Sequence, residues 1–177
     1  MAYIEDNKFS LLFCDKNSNV TDALHWYLPK REWIQVFNGD IFSFSFDAIV
    51  SPANSFGFMD GGFDKVILER LGSYIEKATK SIAPVPVGEA RTIRLFQKDR
   101  PFFLIMAPTM EVPSDVSQTR NANKAMLAIL REVGRNEEIK SVGITGLCTL
   151  TGRMSPIESA KQIAEAIESF EMSHGYL

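Results

Sequence analysis

Short apolar runs alternate along the chain with stripes of apolar residues at spacings of three and four, the pattern of strands interleaved with amphipathic helices. Phe9-Ser10-Leu11-Leu12-Phe13-Cys14 predicts a first strand. Asn17-Ser18-Asn19 predicts a turn and N-cap for a short helix carrying Val20, Ala23, Leu24 and Tyr27, which Pro29 stops. A second strand, Trp33 to Phe37, is rich in aromatic and β-branched residues and ends at the turn signal Asn38-Gly39-Asp40-Ile41. Phe46 to Val50 predicts a third strand. Beyond it the chain passes through a glycine loop into a helix from Phe63 to Leu71, closed by Gly72, and then into a helix carrying Tyr74, Ile75, Ala78 and Ile82.

Gly88 to Leu95 alternates polar with apolar, as a half-exposed strand does, whereas Phe102 to Ala107 is continuously apolar, as a central strand is. Pro108 to Pro113 predicts an extended loop. Ala122, Ala125, Met126, Ile129, Leu130 and Val133 form the stripe of a strong helix that Gly134 closes. Ser141 to Thr145 predicts the last strand, followed by a polar loop from Gly146 to Ser155. The final helix starts near Ser155-Pro156, with a buried stripe of Ile157, Ala160, Ile163, Ala164, Ile167 and Phe170. This alternation predicts an α/β fold with a mostly parallel sheet, in one domain over residues 1–177 without repeats or linkers. Ligands of such sheets bind beyond the carboxyl ends of strands. Three polar loops follow strand ends: residues 38–41, 51–62 and 146–155.

The loop from Ser51 to Gly62 carries the most local chemistry. A helix start has backbone N–H groups without intrahelical partners and a partial positive charge, and Gly61-Gly62 lets an anion approach them. The same glycines also suit any strand-to-helix connection, so the loop alone does not specify a phosphate.

Composition narrows the classes. With 177 residues, 45% hydrophobic and 23% charged, the chain can bury a full core without staples. Its apolar runs fall well short of the roughly 20 residues of a membrane helix, and no basic segment followed by an apolar one opens it. Cys14 and Cys148 lie far apart and predict neither a disulfide framework nor a zinc site, so a cytoplasmic setting is expected. A net charge of −3 argues against broad nucleic-acid binding. A small anionic ligand held by backbone amides stays compatible with it.

No P-loop, dinucleotide fingerprint, H-E-x-x-H or Cys-x-x-Cys is present, and no metal or cofactor is expected. The histidines are His25, in an early helix, and His174, in the expected frayed tail, so a Ser-His or Cys-His catalytic pair is hard to build. Cys148, without an activating neighbour, reads better as a small loop residue than as a nucleophile. What remains is Asn54 and Asp64, on either side of the glycine turn. An amide can position a hydroxyl or water, and a carboxylate can accept a proton or stabilise positive charge at a sugar carbon. They read equally well as a loop amide and a first-turn acid. Asp40 is either a turn cap or an acceptor for an exocyclic amine, and on local grounds the cap is the better reading.

Taken together, Asn38-Gly39-Asp40-Ile41, Asp47-Ala48-Ile49-Val50-Ser51-Pro52-Ala53-Asn54, Gly61-Gly62-Phe63-Asp64, Val87-Gly88-Glu89-Ala90 and Ala107-Pro108-Thr109-Met110, with the loop from Gly146 to Met154, resemble the successive motifs of macrodomains. The likeness is greatest to a bacterial and phage-type group in which Ser-Pro-Ala-Asn replaces Asn-Ala-Ala-Asn. It implies a three-layer α/β/α sandwich with a mixed, mostly parallel sheet of about six strands, and a cleft that binds ADP-ribose. By position, Asp40 would hold the adenine amine and Ile41 would lie beside the base. Gly61, Gly62 and Phe63 would present amides to the diphosphate or distal ribose, beside Ala53. Cys148, Thr149, Leu150, Thr151, Gly152 and Arg153 would cover the diphosphate from the other side. Hydrolytic macrodomains flank the distal ribose with an Asn and an Asp ten positions apart, the separation of Asn54 and Asp64.

The sequence also departs from the family. Met59-Asp60 stand where two more glycines are usual, Leu150 and Arg153 replace glycines of the second loop, and Met154 replaces a common aromatic. By the resemblance, Leu150 would narrow the phosphate site, Asp60 would bring negative charge to it, and Arg153 would offer a compensating cation. Three functions fit: an ADP-ribosyl hydrolase or O-acetyl-ADP-ribose deacetylase, a non-catalytic reader of ADP-ribose or another NAD-derived nucleotide, and a scaffold with a vestigial cleft. The partner expected in the first two is ADP-ribose or an ADP-ribosylated substrate, without nucleic acid or membrane.

Overall fold

The computed structural model describes residues 9–174. Six strands form one sheet in the order β2-β1-β6-β3-β5-β4: β1 Ser10–Asp15, β2 Ile34–Asn38, β3 Ala48–Ser51, β4 Arg91–Arg94, β5 Phe103–Met106 and β6 Ser141–Ile144. Every neighbouring pair is parallel except β4 against β5. Five α-helices cover the sheet: α1 Ser18–Tyr27, α2 Gly62–Leu71, α3 Tyr74–Ile82, α4 Asn121–Arg135 and α5 Pro156–His174. The mixed, mostly parallel sheet expected from the sequence is therefore present, with five strands on the largely apolar runs and β4 within the alternating stretch from Gly88 to Leu95.

Side chains of a strand alternate between faces, and β3 makes the layering explicit. Ala48 and Val50 join the core that contains the apolar faces of α1, α4 and α5, while Ile49 joins the second core with Met59, Ile67 of α2 and Ile75 of α3. Burial of β3 on both faces is what its unbroken apolar run requires.

Several boundaries differ from expectation for physical reasons. The third strand starts at Ala48, because Phe46 is used to fill the core above Gly143, where an added Cβ would stand 2.8 Å from the Phe46 ring. Helix α4 runs through Gly134 to Arg135. That glycine is no helix end: its bare Cα faces Phe170, which lets α4 and α5 pack closely. Ile157, counted in the buried stripe of the last helix, is 52% exposed, one turn ahead of where α5 meets the core. His174 is not in a frayed tail but in the last turn of α5, its ring stacked on Phe170 at 4.1 Å. The turn after β2 contains a 3-10 segment, Ile41–Ser43, capped by Asp40.

Candidate functional site

The loops at the carboxyl ends of β3, β5 and β6 enclose a cleft of about 320 Å³. One wall is the glycine loop, with Asn54, Asp60, Gly61, Gly62, Phe63 and Asp64. Facing it stand Cys148, Thr149, Leu150, Thr151 and Gly152, and Ala53, Thr109 and Met110 close the base. A second recess of about 250 Å³ adjoins it, lined by Cys14, Lys16, Asp40, Ile41, Phe63, Val66 and Thr145. Gly62, Phe63 and Leu150 border both, and Leu150, 61% exposed, forms the ridge between them.

The glycine loop ends in the N-terminus of α2, capped by Gly61 without any side-chain hydrogen bond. Gly62 has φ +58, a left-handed conformation that disfavours side chains, and an added Cβ would stand 3.6 Å from Thr151 Oγ1. Glycine at this position keeps both the turn and the gap between the walls. The first-turn amides of α2 are thereby directed at the cleft, an arrangement that suits an anion.

Asp64 is the third residue of α2 and only 6% exposed. The Ser51 hydroxyl donates to its Oδ1 at 2.7 Å, and Oδ2 accepts no hydrogen bond from any described residue. Burial pushes the carboxyl up to about 7, against a smaller downward pull from Ser51. At neutral pH this group therefore exchanges a proton readily, as a general base or acid must.

Asn54 lines the same cleft, but its amide is committed to the loop. Its Nδ2 donates to the Phe58 carbonyl at 2.8 Å, and its Oδ1 accepts from the backbone N–H of Phe56 at 3.1 Å and of Phe58 at 3.3 Å. The residue organises the turn through residues 55–58.

Asp40 and Ile41 line the second recess. Asp40 Oδ1 caps the 3-10 segment by accepting from Phe42 N–H at 3.0 Å, while Oδ2 meets Arg70 at 2.5 Å and Lys16 at 3.8 Å. Arg70 also lies over the Phe42 ring at 5.1 Å. The structure thus gives Asp40 the cap role preferred on local grounds and adds two cations. Thr145 Oγ1, at the border of this recess, is buried without a hydrogen-bond partner among the described residues.

Arg153 lies outside the cleft. With φ +55 it turns the chain, its N–H donating to the Leu150 carbonyl, and its side chain lines a separate recess with Ser117, Arg120 and Glu158. Cys148, also at positive φ, is buried, and its thiol is pushed up to about 12 by desolvation, consistent with a loop residue and not a nucleophile. Among the described residues no group of three or more His, Cys, Asp and Glu could hold a metal ion, and no helix is long and apolar enough to cross a membrane.

The sequence reading missed Ser51 as a site residue, although the alternation from Ile49 puts it on the α2 face. It also missed Thr145, Lys16 and Arg70; no local pattern marks the last as a partner of Asp40, since the contact spans 30 positions.

The family model described as "Macro domain" matches residues 50–164. An uncharacterized protein of Aquifex aeolicus is 38% identical over 138 residues, 78% of this chain and 82% of its own length. Among solved structures, the macrodomain of Mycobacterium tuberculosis DarG superposes with a TM-score of 0.64 at 20% identity, over 77% of this chain and 88% of its own. A Trypanosoma brucei macrodomain, solved in complex with ADP-ribose, superposes with a TM-score of 0.64 at 19% identity, over 88% of this chain and 62% of its own.

Proposed function

This chain belongs to the macro domain family, and from that premise we propose that it binds ADP-ribose or an ADP-ribosyl group and hydrolyses the bond at the distal ribose. The observation that carries the proposal is Asp64: a buried carboxyl at the mouth of a helix N-terminus, with one oxygen fixed and the other open toward a cleft of nucleotide size.

In this reading the adenine enters the recess beside Asp40 and Ile41, the diphosphate crosses the ridge at Gly62, Phe63 and Leu150, and the distal ribose sits against Asp64. The amides of the first turn of α2 hold the anion from one side. Backbone of residues 148–152 covers it from the other. Asp64 accepts the proton of the attacking water, or stabilises the positive charge that grows on the sugar as the leaving group departs. Asn54 contributes by holding the loop that shapes the ribose end, since its amide already serves Phe56 and Phe58.

Calorimetric titration tests binding: a dissociation constant in the micromolar range is expected, and no heat at millimolar ADP-ribose rejects the proposal. Release of ADP-ribose from a modified protein, or deacetylation of O-acetyl-ADP-ribose, tests the chemistry. Asp64→Ala should lower the rate by at least about 100-fold, the scale of general acid–base catalysis, while retaining most of the affinity. The alternative is a non-catalytic reader, favoured by the engaged amide of Asn54 and by the ridge at Leu150. Binding without turnover in the wild-type protein would select it.

A further inference from the structure

We infer that Ser51 is a positioning residue for this chemistry: it holds one carboxylate oxygen of Asp64 so that the other is presented to the cleft, an inference that rests on the hydrolytic reading above.

Ser51 is the last residue of β3 and is fully buried. Its main chain is fixed by register with Met106 of β5 and by the Ala107 N–H, which donates to its carbonyl at 3.0 Å. Alternation along the strand places its side chain on the face of Ile49, the face that α2 and α3 cover. There its hydroxyl meets Asp64 Oδ1 at 2.7 Å. The strand end and the first helical turn are both regular elements, so the contact sets the orientation of the carboxyl more tightly than a loop side chain would.

The contact also sets basicity. A hydroxyl that donates to a carboxylate favours the charged form, while burial opposes it. The other titratable groups lining the cleft are Asp60 on the glycine loop and Cys148 on the facing loop. From α3, Glu76 accepts from the Met59 N–H and pairs with Lys80. β3 and β5 contribute no titratable side chain to this wall.

The step is then defined at Oδ2. A water on the cleft side gives its proton to Oδ2 as its oxygen bonds to the anomeric carbon of the distal ribose. The bond from that carbon to the oxygen of the modified acyl group breaks, and its electron pair leaves as a carboxylate. Asp64 returns the proton to solvent.

Ser51→Ala should raise the apparent pKa of Asp64 by about one pH unit, the scale of a hydrogen bond to a charged group. A 13C-carboxyl NMR titration, with the resonance assigned through Asp64→Asn, reads this directly. The pH–rate profile should move to higher pH by the same amount, with kcat at pH 7 falling about fivefold and KM little changed. Ser51→Thr, which keeps the hydroxyl, should restore both. If the alanine variant does not fold, Ser51→Cys, similar in size and a weaker donor, should move the titration in the same direction. An Asp64 titration that stays put in a folded variant overturns the inference. A titration that moves in a protein without turnover overturns the hydrolytic reading instead, which keeps the two failures apart.

Discussion

At the scale of single residues, Asp64 stands out because its burial opposes its charge. A carboxyl raised to about 7 in the folded chain releases its proton near the ordinary carboxylate value when unfolded. Between those two values the folded state holds a proton that the unfolded state has lost, so stability falls as pH rises through this window. Asp64→Asn removes that penalty. It is expected to stabilise the protein by about 2–4 kcal/mol at pH 8 and by much less at pH 4, as urea unfolding at the two pH values would measure. A buried carboxyl of this kind weakens the fold in its charged form, and under the proposed hydrolysis that is a cost of function.

At the scale of elements, the ridge between the two recesses is the feature that most separates this cleft from an open groove. Leu150 sits on a loop whose backbone is closed by the Arg153-to-Leu150 and Met154-to-Cys148 hydrogen bonds, so the side chain projects from a fixed base. Leu150→Gly should let a diphosphate lie closer to the facing walls, with ADP-ribose bound about 10-fold more tightly, by calorimetry. An unchanged affinity would mean that the leucine already turns aside on binding. The elements themselves were largely legible beforehand. Every strand lay within a stretch read as one, five on largely apolar runs and β4 on the alternating stretch from Gly88 to Leu95, and Asn17 capped α1 as its position predicted, accepting from the Asn19 N–H at 3.0 Å. Illegible features depended on contacts distant in sequence. Gly134 read as a helix end because its partner, Phe170, lies 36 positions away, and Asn54 read equally well as a ligand-facing amide or a loop amide because its bonds to Phe56 and Phe58 depend on how the loop turns.

At the scale of the whole molecule, Asp47 ties the sheet together where β3 begins. Its Oδ2 accepts from Lys140 N–H at 2.8 Å and Ser141 N–H at 3.1 Å, its Oδ1 meets Arg100 at 3.0 Å, and its carbonyl accepts from Phe102 and Phe103. Asp47→Ala leaves those β6-side amides without a partner in a nearly dry setting. A loss of about 2–3 kcal/mol is expected in chemical denaturation, with ligand affinity at the opposite end of the strands little changed. The sequence showed Asp47 only as part of a motif, because its partners come from segments more than fifty positions away. Likewise most residues of the candidate cleft were legible as a set, Arg153 being the exception that lies outside it, but not as two recesses, since the division rests on where Leu150 projects.

In the proposed reading, the pairing of Asp40 with Arg70 and Lys16 makes adenine binding in the second recess an exchange. A base that offers an exocyclic amine to Asp40 competes with a guanidinium already seated there, over the face of Phe42. A base lacking that amine has nothing to trade for the displaced pair. On that reading the free protein holds its own stand-in for the ligand, and the recess would discriminate through what must be given up as much as through what is gained.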